Sequence, residues 1–374
     1  MEFTNLRIYQ PDGTFRTGGL TLSGDRIASA EPSADACDMG GLYAIPGLVD
    51  IHFHGCAGRD LCEGTQEALS AIARYQAAHG VCAICPATVS LTEERLAAVM
   101  ETAAAHTGDR REAALAGINL EGPFLSEGRR GVHLLENLRL PDADLFRRLQ
   151  EKAEGLIKLC SVAPELPGAL DMIETLAGEV RLSLAHTEAD YATACEAFRR
   201  GAREVTHLFN AMTPMTHREP GLIGAALDND EVGVELITDG AHVHPAAVRA
   251  AFRLFENRII LVSDCLSAAG MGDGVYPLGG QEIVVRDGRA TINEGRTLAG
   301  TAVDLFTCMR RAVEMGVPLG QAVRSASTNP ARAIGIQYDY GSLEPGKLAN
   351  ILLLDDDLSL NTVILRGQII EAFD

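Results

Sequence analysis

Five times in this chain a short apolar run ends on residue types that bind metal ions. The runs are GLVDIHFH, LAGINLEG, RLSLAH, EVTHLF and RIILVSD, and the endings are His52 with His54, Glu121, His186, His207 and Asp264. Four to six residues rich in Val, Ile and Leu mark a strand buried on both faces, as in a parallel sheet covered by helices. One polar residue after such a strand is ordinary. Five endings drawn only from His, Glu and Asp are not a packing pattern. They point to a metal site where a parallel barrel presents its carboxyl ends.

Eight strand cores can be marked: GLVDIHF, VCAICPATV, LAGINLEG, GLIKLCSVAP, RLSLAH, EVTHLF, VGVELITDG and IILVSD. Most are separated by helical periodicities such as QEALSAIARYQAAHG and AVDLFTCMRRAVEMG, although the link from His207 to Val232 is less regular. Eight alternations predict an α/β fold, a (β/α)8 TIM-like metallohydrolase barrel. Such a barrel takes about 250 residues, which leaves about 120 of the chain for an accessory unit. Residues 1–45 read as a small antiparallel sheet (NLRIYQ, a PDG turn, LTLSGDRIASA, GGLYAI), and residues 340–374 read likewise. Neither end is large enough to fold alone. The two are therefore expected to pair as one discontinuous β-sandwich domain beside a barrel spanning 46–339. Residues 275–298 break the barrel rhythm with two strand-like runs about Asp287-Gly288, which predicts a β-hairpin insertion after strand eight.

A content of 47% hydrophobic and 22% charged residues is that of a soluble globular protein. The formal net charge of −19 argues against nucleic acid or an anionic membrane as partner, since both repel an acidic chain. A small anionic substrate stays admissible where a few cations gather. No apolar run approaches the ~20 residues of a membrane span. The N-terminal MEFTNLRIYQPDG lacks a basic segment followed by an apolar one, so a cytoplasmic location is expected. Nine cysteines scattered through strand-like segments read as reduced thiols. Cys82-x-x-Cys85 lies inside GVCAICPATV and reads as core packing.

His52-x-His54 places both imidazoles on one face of strand one, because strand side chains alternate with period two. Together with a carboxylate from strand three and His from strands five and six, they would surround one or two divalent ions. Imidazole and carboxylate suit zinc, iron or manganese without distinguishing them. Glu121 is placed to bridge two ions or to anchor one, and Asp264 closes the ring. A divalent ion lowers the pKa of bound water to near 7, and a neighbouring carboxylate can carry the proton to a leaving group, which suits amide hydrolysis. His79 and His106 fall near helix ends, His244 before Pro245 reads as a helix start, and Asp355–Asp357 as a solvated turn.

The stretches PGLVDIHFHG, INLEGPFLSEGRRGVH, SLAHTEADY, VTHLFNAM followed by HREPG, ITDGAHV, LVSDCLSAAG, TLAGT and NPARAIG run between residues 46 and 335. In them, and in their order, the chain resembles the N-acetylglucosamine-6-phosphate deacetylase family of the amidohydrolase superfamily. The HxH opening marks only the superfamily, whereas LEGPF with GxH, THLFNAM and REPG are far more specific. The resemblance implies metal ligation by Glu121, His186 and His207, with His52 and His54 available for a second ion. It implies Asp264 as general acid/base. It further implies that Val132, His133, Asn210, Ala211, Arg218, His242 and the segment Leu298, Ala299, Gly300 contact a sugar phosphate. Arg218 offers a planar fork for a phosphate, and amides around Asn210–Ala211 would add donors.

The implied reaction converts N-acetyl-D-glucosamine 6-phosphate to D-glucosamine 6-phosphate and acetate in amino-sugar catabolism. N-acetylgalactosamine 6-phosphate, another amide, or a non-catalytic binding role are the alternatives. Ala185-His186-Thr187 stands where the family usually has Gly-His-Ser, a change that keeps the ligand. Cys265 follows Asp264 where a small residue is common, so the loop after it is expected to shape the sugar pocket differently. The family's members are commonly homodimers, which would let a neighbour lend Arg218 or His242 to the phosphate.

Overall fold

The computed structural model describes residues 1–278, 281–292 and 297–370. Each of the eight apolar runs forms a strand: Leu48–Asp50, Val81–Ile84, Ile118–Leu120, Ile157–Val162, Arg181–Leu184, Glu204–Val205, Gly233–Ile237 and Ile259–Val262. Strands three to eight pair in parallel in sequence order, as do strands one and two. A parallel bridge between Ala87 and Asn119 joins the two groups. Strand eight then returns to strand one. The Asp264 amide donates to the His52 carbonyl at 2.9 Å, and the His54 amide to that of Cys265 at 2.7 Å. Wholly buried Asp50 fastens this seam by accepting from Ser263 Oγ at 2.5 Å.

A helix follows every strand: Gln66–Ala78, Glu93–Ala104, Ala143–Lys152, Ala169–Leu176, Tyr191–Arg200, Gly221–Leu227, Pro245–Leu254 and Leu305–Glu314. Six of them start on a side chain that accepts a first-turn amide: Thr65, Thr92, Asp142, Asp190, His244 and Asp304. The irregular link after His207 holds the helix Gly221–Leu227. Its residues 221–226 are all buried, so it has no polar face to create a 3.6-residue period.

The chain ends meet in one eight-stranded sheet. Its order is Gln368–Ile370, Leu360–Leu365, Ile351–Leu354, Tyr43–Pro46, Glu2–Tyr9, Phe15–Ser23 and Arg26–Ile27, with Cys37–Asp38 paired beside Glu2–Tyr9. The antiparallel reading of the N-terminal part needs correction. Both Cys37–Asp38 and Tyr43–Pro46 run parallel to Glu2–Tyr9, because residues 28–36 cross back before the chain rejoins the sheet. Tyr43–Pro46 pairs antiparallel with Ile351–Leu354 on its other side and runs on through Gly47 into barrel strand one. A Cβ at Gly47 would lie 2.8 Å from Cys82 Sγ, so the close passage requires glycine. Cys82 and Cys85 are buried, and all nine cysteines are free thiols.

The stretch read as a hairpin after strand eight is longer than one hairpin. Gly274–Leu278, Gln281–Arg286, Arg289–Ile292 and Thr297–Leu298 form a four-stranded antiparallel meander. Asp287 and Gly288, with φ of +51° and +69°, make the two-residue turn between its middle strands. The last strand of the meander brings Leu298 to the mouth of the barrel. Among the described residues no helix is long and apolar enough to cross a membrane.

Candidate functional site

His52 and His54 leave strand one on its inner face, while Ile51 and Phe53 between and before them are wholly buried. Glu121 lies at the centre of the ring. Its Oε1 is 3.3 Å from His52 Nε2, 3.2 Å from His186 Nε2 and 3.3 Å from His207 Nε2. Its Oε2 is 3.2 Å from His54 Nε2. Asp264 Oδ1 stands 3.4 Å from His54 Nε2 and 3.8 Å from His52 Nε2. The five strand endings therefore converge on one point. His186, His207 and Asp264 hold φ of +45°, +30° and +49°. Left-handed backbone costs a non-glycine residue on the order of 1–3 kcal/mol, and such strain gathers where side chains must be aimed. Here it turns three strand ends toward the axis.

The outward nitrogens set the tautomers. His186 Nδ1 lies 2.7 Å from the Arg129 carbonyl, which only accepts, so Nδ1 carries the proton and Nε2 offers a lone pair inward. His52 Nδ1, 2.8 Å from Glu235 Oε2, follows the same rule. His133 is the reverse case. The Ser90 amide donates to its Nδ1 at 3.0 Å, so the neutral ring keeps its proton on Nε2, 3.6 Å from Glu121 Oε2. Burial pushes the His133 pKa down to about 4, which keeps it neutral. Although it lies within ligand distance of Glu121 and His186, its one lone pair is already used. His133 is a hydrogen-bond donor.

Burial alone would raise the carboxyl groups of Glu121 and Asp264, but the surrounding imidazoles hold both below the usual carboxylate range. Burial would lower His54, and the bonds to Asp264 and Glu121 outweigh it, pushing its pKa up to about 10. The site thus draws positive charge to itself. Among the described residues no Lys or Arg pairs with Glu121, Asp264 or Glu235. Among the described residues, His52 Nε2 is buried and, though 3.3 Å from Glu121 Oε1, makes no well-aligned hydrogen bond. Imidazole nitrogens facing buried carboxylates form the donor set of a divalent cation, which would take the place of the proton that His54 holds. These residues fit one: His52, His54 and Glu121 offer one cluster, and Glu121 with His186 and His207 a second.

Above the ring opens a cavity of about 580 Å³, walled by Val132, His133, Asn210, Ala211, His242 and the segment Leu298, Ala299, Gly300. His242 Nδ1 bonds to Asp239 Oδ2 at 2.9 Å. Burial would lower this histidine, but the Asp239 carboxylate outweighs it and raises the pKa, favouring the protonated ring. The Asn210 amide donates to the His207 carbonyl, and its side chain donates to those of His207 and Leu208. Only the Ala211 amide remains open there among the described residues, so the expectation of donors from both residues is corrected to one. Gly300 has φ +53°, and a Cβ on it would stand 2.7 Å from the Asp264 carbonyl.

Arg218 departs from the expected grouping. It is exposed on the 213–219 loop and does not line this cavity, because the loop turns outward before the helix Gly221–Leu227. Cys265 departs as well. Its thiol is wholly buried against the Gly55 carbonyl and Gln76, so Cys265 faces the core and does not line the cavity. Four contributors escaped the sequence reading: Arg129, Ser90, Glu235 and Asp239, the partner of His242. A carboxylate in the middle of the apolar stretch VGVELI was the available signal for Glu235, while nothing local marked Ser90.

The sequence profile of the amidohydrolase family matches residues 43–370. The chain is 34% identical to the N-acetylglucosamine-6-phosphate deacetylase of Vibrio furnissii, over 94% of this chain and 88% of that protein. It is 32% identical to the N-acetylgalactosamine-6-phosphate deacetylase of Escherichia coli O157:H7, over 97% of each. Among solved structures, a mutant N-acetyl-D-glucosamine-6-phosphate deacetylase from Mycobacterium smegmatis, in complex with N-acetyl-D-glucosamine-6-phosphate, matches with a TM-score of 0.93. That match has 34% identity and covers 99% of this chain and 98% of the other. The chain belongs to the amidohydrolase family, in the branch that the N-acetylglucosamine-6-phosphate deacetylases occupy.

Proposed function

We propose that this protein is a metal-dependent hydrolase that converts N-acetyl-D-glucosamine 6-phosphate to D-glucosamine 6-phosphate and acetate. The observation that carries the reading is one cavity joining an inward-facing His and carboxylate ring to a neutral His donor, in a chain of this branch. Glu121, His186 and His207 would hold a divalent ion, with His52 and His54 for a second, and the ion would supply an acidified water and Lewis-acid polarisation.

The chain's own residues do the rest. Asp264, held ionised beside His54, takes a proton from the attacking water and delivers it to the amine as the C–N bond breaks. The His133 Nε2–H donates to the acetamide oxygen as negative charge builds there. The His242 ring and the Ala211 amide lie on the cavity wall for the phosphate, and Leu298–Gly300 flank the sugar. Arg218 reaches the phosphate of a neighbouring copy in a homodimer. Exposed Met215 (46%) and Phe209 (36%), on or beside the same loop, support such a contact.

The match to the galactosamine enzyme supports a second reading, the same chemistry on the C4 epimer. Acetate release by metal-replete protein, lost on chelation and restored by added divalent ion, tests the metal-dependent reading. Full activity after exhaustive chelation would set it aside.

A further inference from the structure

One carboxylate of the barrel interior belongs to neither the ligand ring nor the cavity wall. Glu235 sits in the middle of strand seven, among Val234, Leu236 and Ile237, and is wholly buried. A buried carboxylate is costly unless hydrogen bonds satisfy it. Its Oε2 meets two groups, His52 Nδ1 at 2.8 Å and the His207 backbone amide at 3.1 Å. One oxygen thus ties a strand-one imidazole to the backbone of a strand-six imidazole across the barrel. The Glu235 carbonyl also accepts from the Leu208 amide at 2.8 Å, which fixes the register of that tie. On its far side lies Glu204, itself wholly buried and paired with Arg181. Arg181 donates a second bond to the Arg203 carbonyl at 2.9 Å.

We propose that Glu235 is the positioning residue that makes the His52 half of the ring a metal site. It fixes the Nδ1–H tautomer of His52, so that the Nε2 lone pair faces the axis, and it anchors that ring to the strand bearing His207. Without it both tautomers of His52 are open and the imidazole is free to turn. The proposal rests on the metal reading above. Partners of this kind typically change metal affinity by about 10–100-fold.

The test is titration of metal-free wild type, E235Q, E235L, H52A and the E235L/H52A double variant with Zn2+, with bound equivalents counted by elemental analysis. Wild type is expected to bind two equivalents per chain. E235L should weaken one of them about 10–100-fold and leave the other nearly unchanged. E235Q keeps an acceptor for His52 Nδ1 and should weaken it less. The double variant should bind no more weakly than H52A alone, since both changes remove one interaction. Circular dichroism of the metal-free proteins checks their fold, and near-isosteric E235Q keeps the test open if E235L does not fold. Two equivalents at wild-type affinity in both Glu235 variants would overturn the proposal, as would additive effects in the double variant. A wild type that binds one ion, unaffected by H52A, would also overturn it while leaving the metal reading intact. A wild type that takes up no ion would overturn both.

Discussion

Replacing His133 by Phe removes one hydrogen-bond donor while filling much of the same space. Ser90 holds Nδ1 through its amide at 3.0 Å, so the proton that Phe deletes is the one on Nε2, facing the cavity. Loss of a single oxyanion donor costs roughly 10²–10³ in kcat, about 2.7–4 kcal/mol of transition-state stabilisation. The Ser90 amide also loses its acceptor, at a cost of about 1–3 kcal/mol in stability. A pH signature accompanies this. The folded-state pKa is pushed down to about 4 from an ordinary 6.5, so between these values the unfolded chain binds a proton that the folded chain refuses. The corresponding stability, about 3 kcal/mol, is fully present above 6.5 and is lost as the pH falls toward 4. Steady-state acetate release near pH 7 gives kcat and KM, and urea unfolding of the metal-free proteins on either side of that window gives the stability. The expected outcome is a kcat lower by two to three decades, with KM and metal content little changed. The stability gap between wild type and variant should narrow as the pH drops. A variant with kcat within about fivefold of wild type would refute the donor role.

Asp264→Asn keeps the shape but cannot accept a proton, so kcat should fall at least ~100-fold with metal content intact; near-wild-type turnover would end its acid/base role. Arg218→Ala should raise KM for the phosphorylated sugar about tenfold or more, as expected for a lost charge-assisted contact, with kcat little changed. An unchanged KM would remove Arg218 from the phosphate site, and light scattering showing a stable, fully active monomer would dismiss delivery from a neighbour. At Gly300 an added methyl would sit 2.7 Å from the Asp264 carbonyl, on backbone at φ +53°. Gly300→Ala should therefore displace the loop and cost about tenfold or more in kcat; normal kinetics would mean that this approach is not required.

The barrel was legible because its eight apolar runs are one-dimensional signals, each short, continuous and followed by a turn. His52, His54, Glu121, His186, His207 and Asp264 were legible as a group for a related reason. Every parallel strand delivers its carboxyl end to the same mouth, so a residue type repeated at strand ends implies convergence. What the pattern could not carry was distance across the barrel. Glu235 lies on strand seven and is remote from His52 in sequence, and only closure of strand eight onto strand one brings the two to 2.8 Å. Tautomers were hidden likewise, since His133 differs from His186 only in whether an amide or a carbonyl faces Nδ1. The outward turn of Arg218 and the use of the Asn210 amide follow from loop geometry that no periodicity encodes. Parallel pairing at the N-terminus was obscured because a turn-rich segment resembles a hairpin until its crossover is seen.

The most direct measurement is kcat/KM for acetate release by metal-replete protein on N-acetylglucosamine 6-phosphate, beside its galacto epimer and the unphosphorylated sugar. The expected result is strong preference for the phosphorylated gluco compound, with the unphosphorylated sugar at least about a hundredfold poorer, as loss of a charge-assisted phosphate contact requires. Equal rates on the phosphorylated and unphosphorylated sugars, or no acetate from any of the three, would contradict the account.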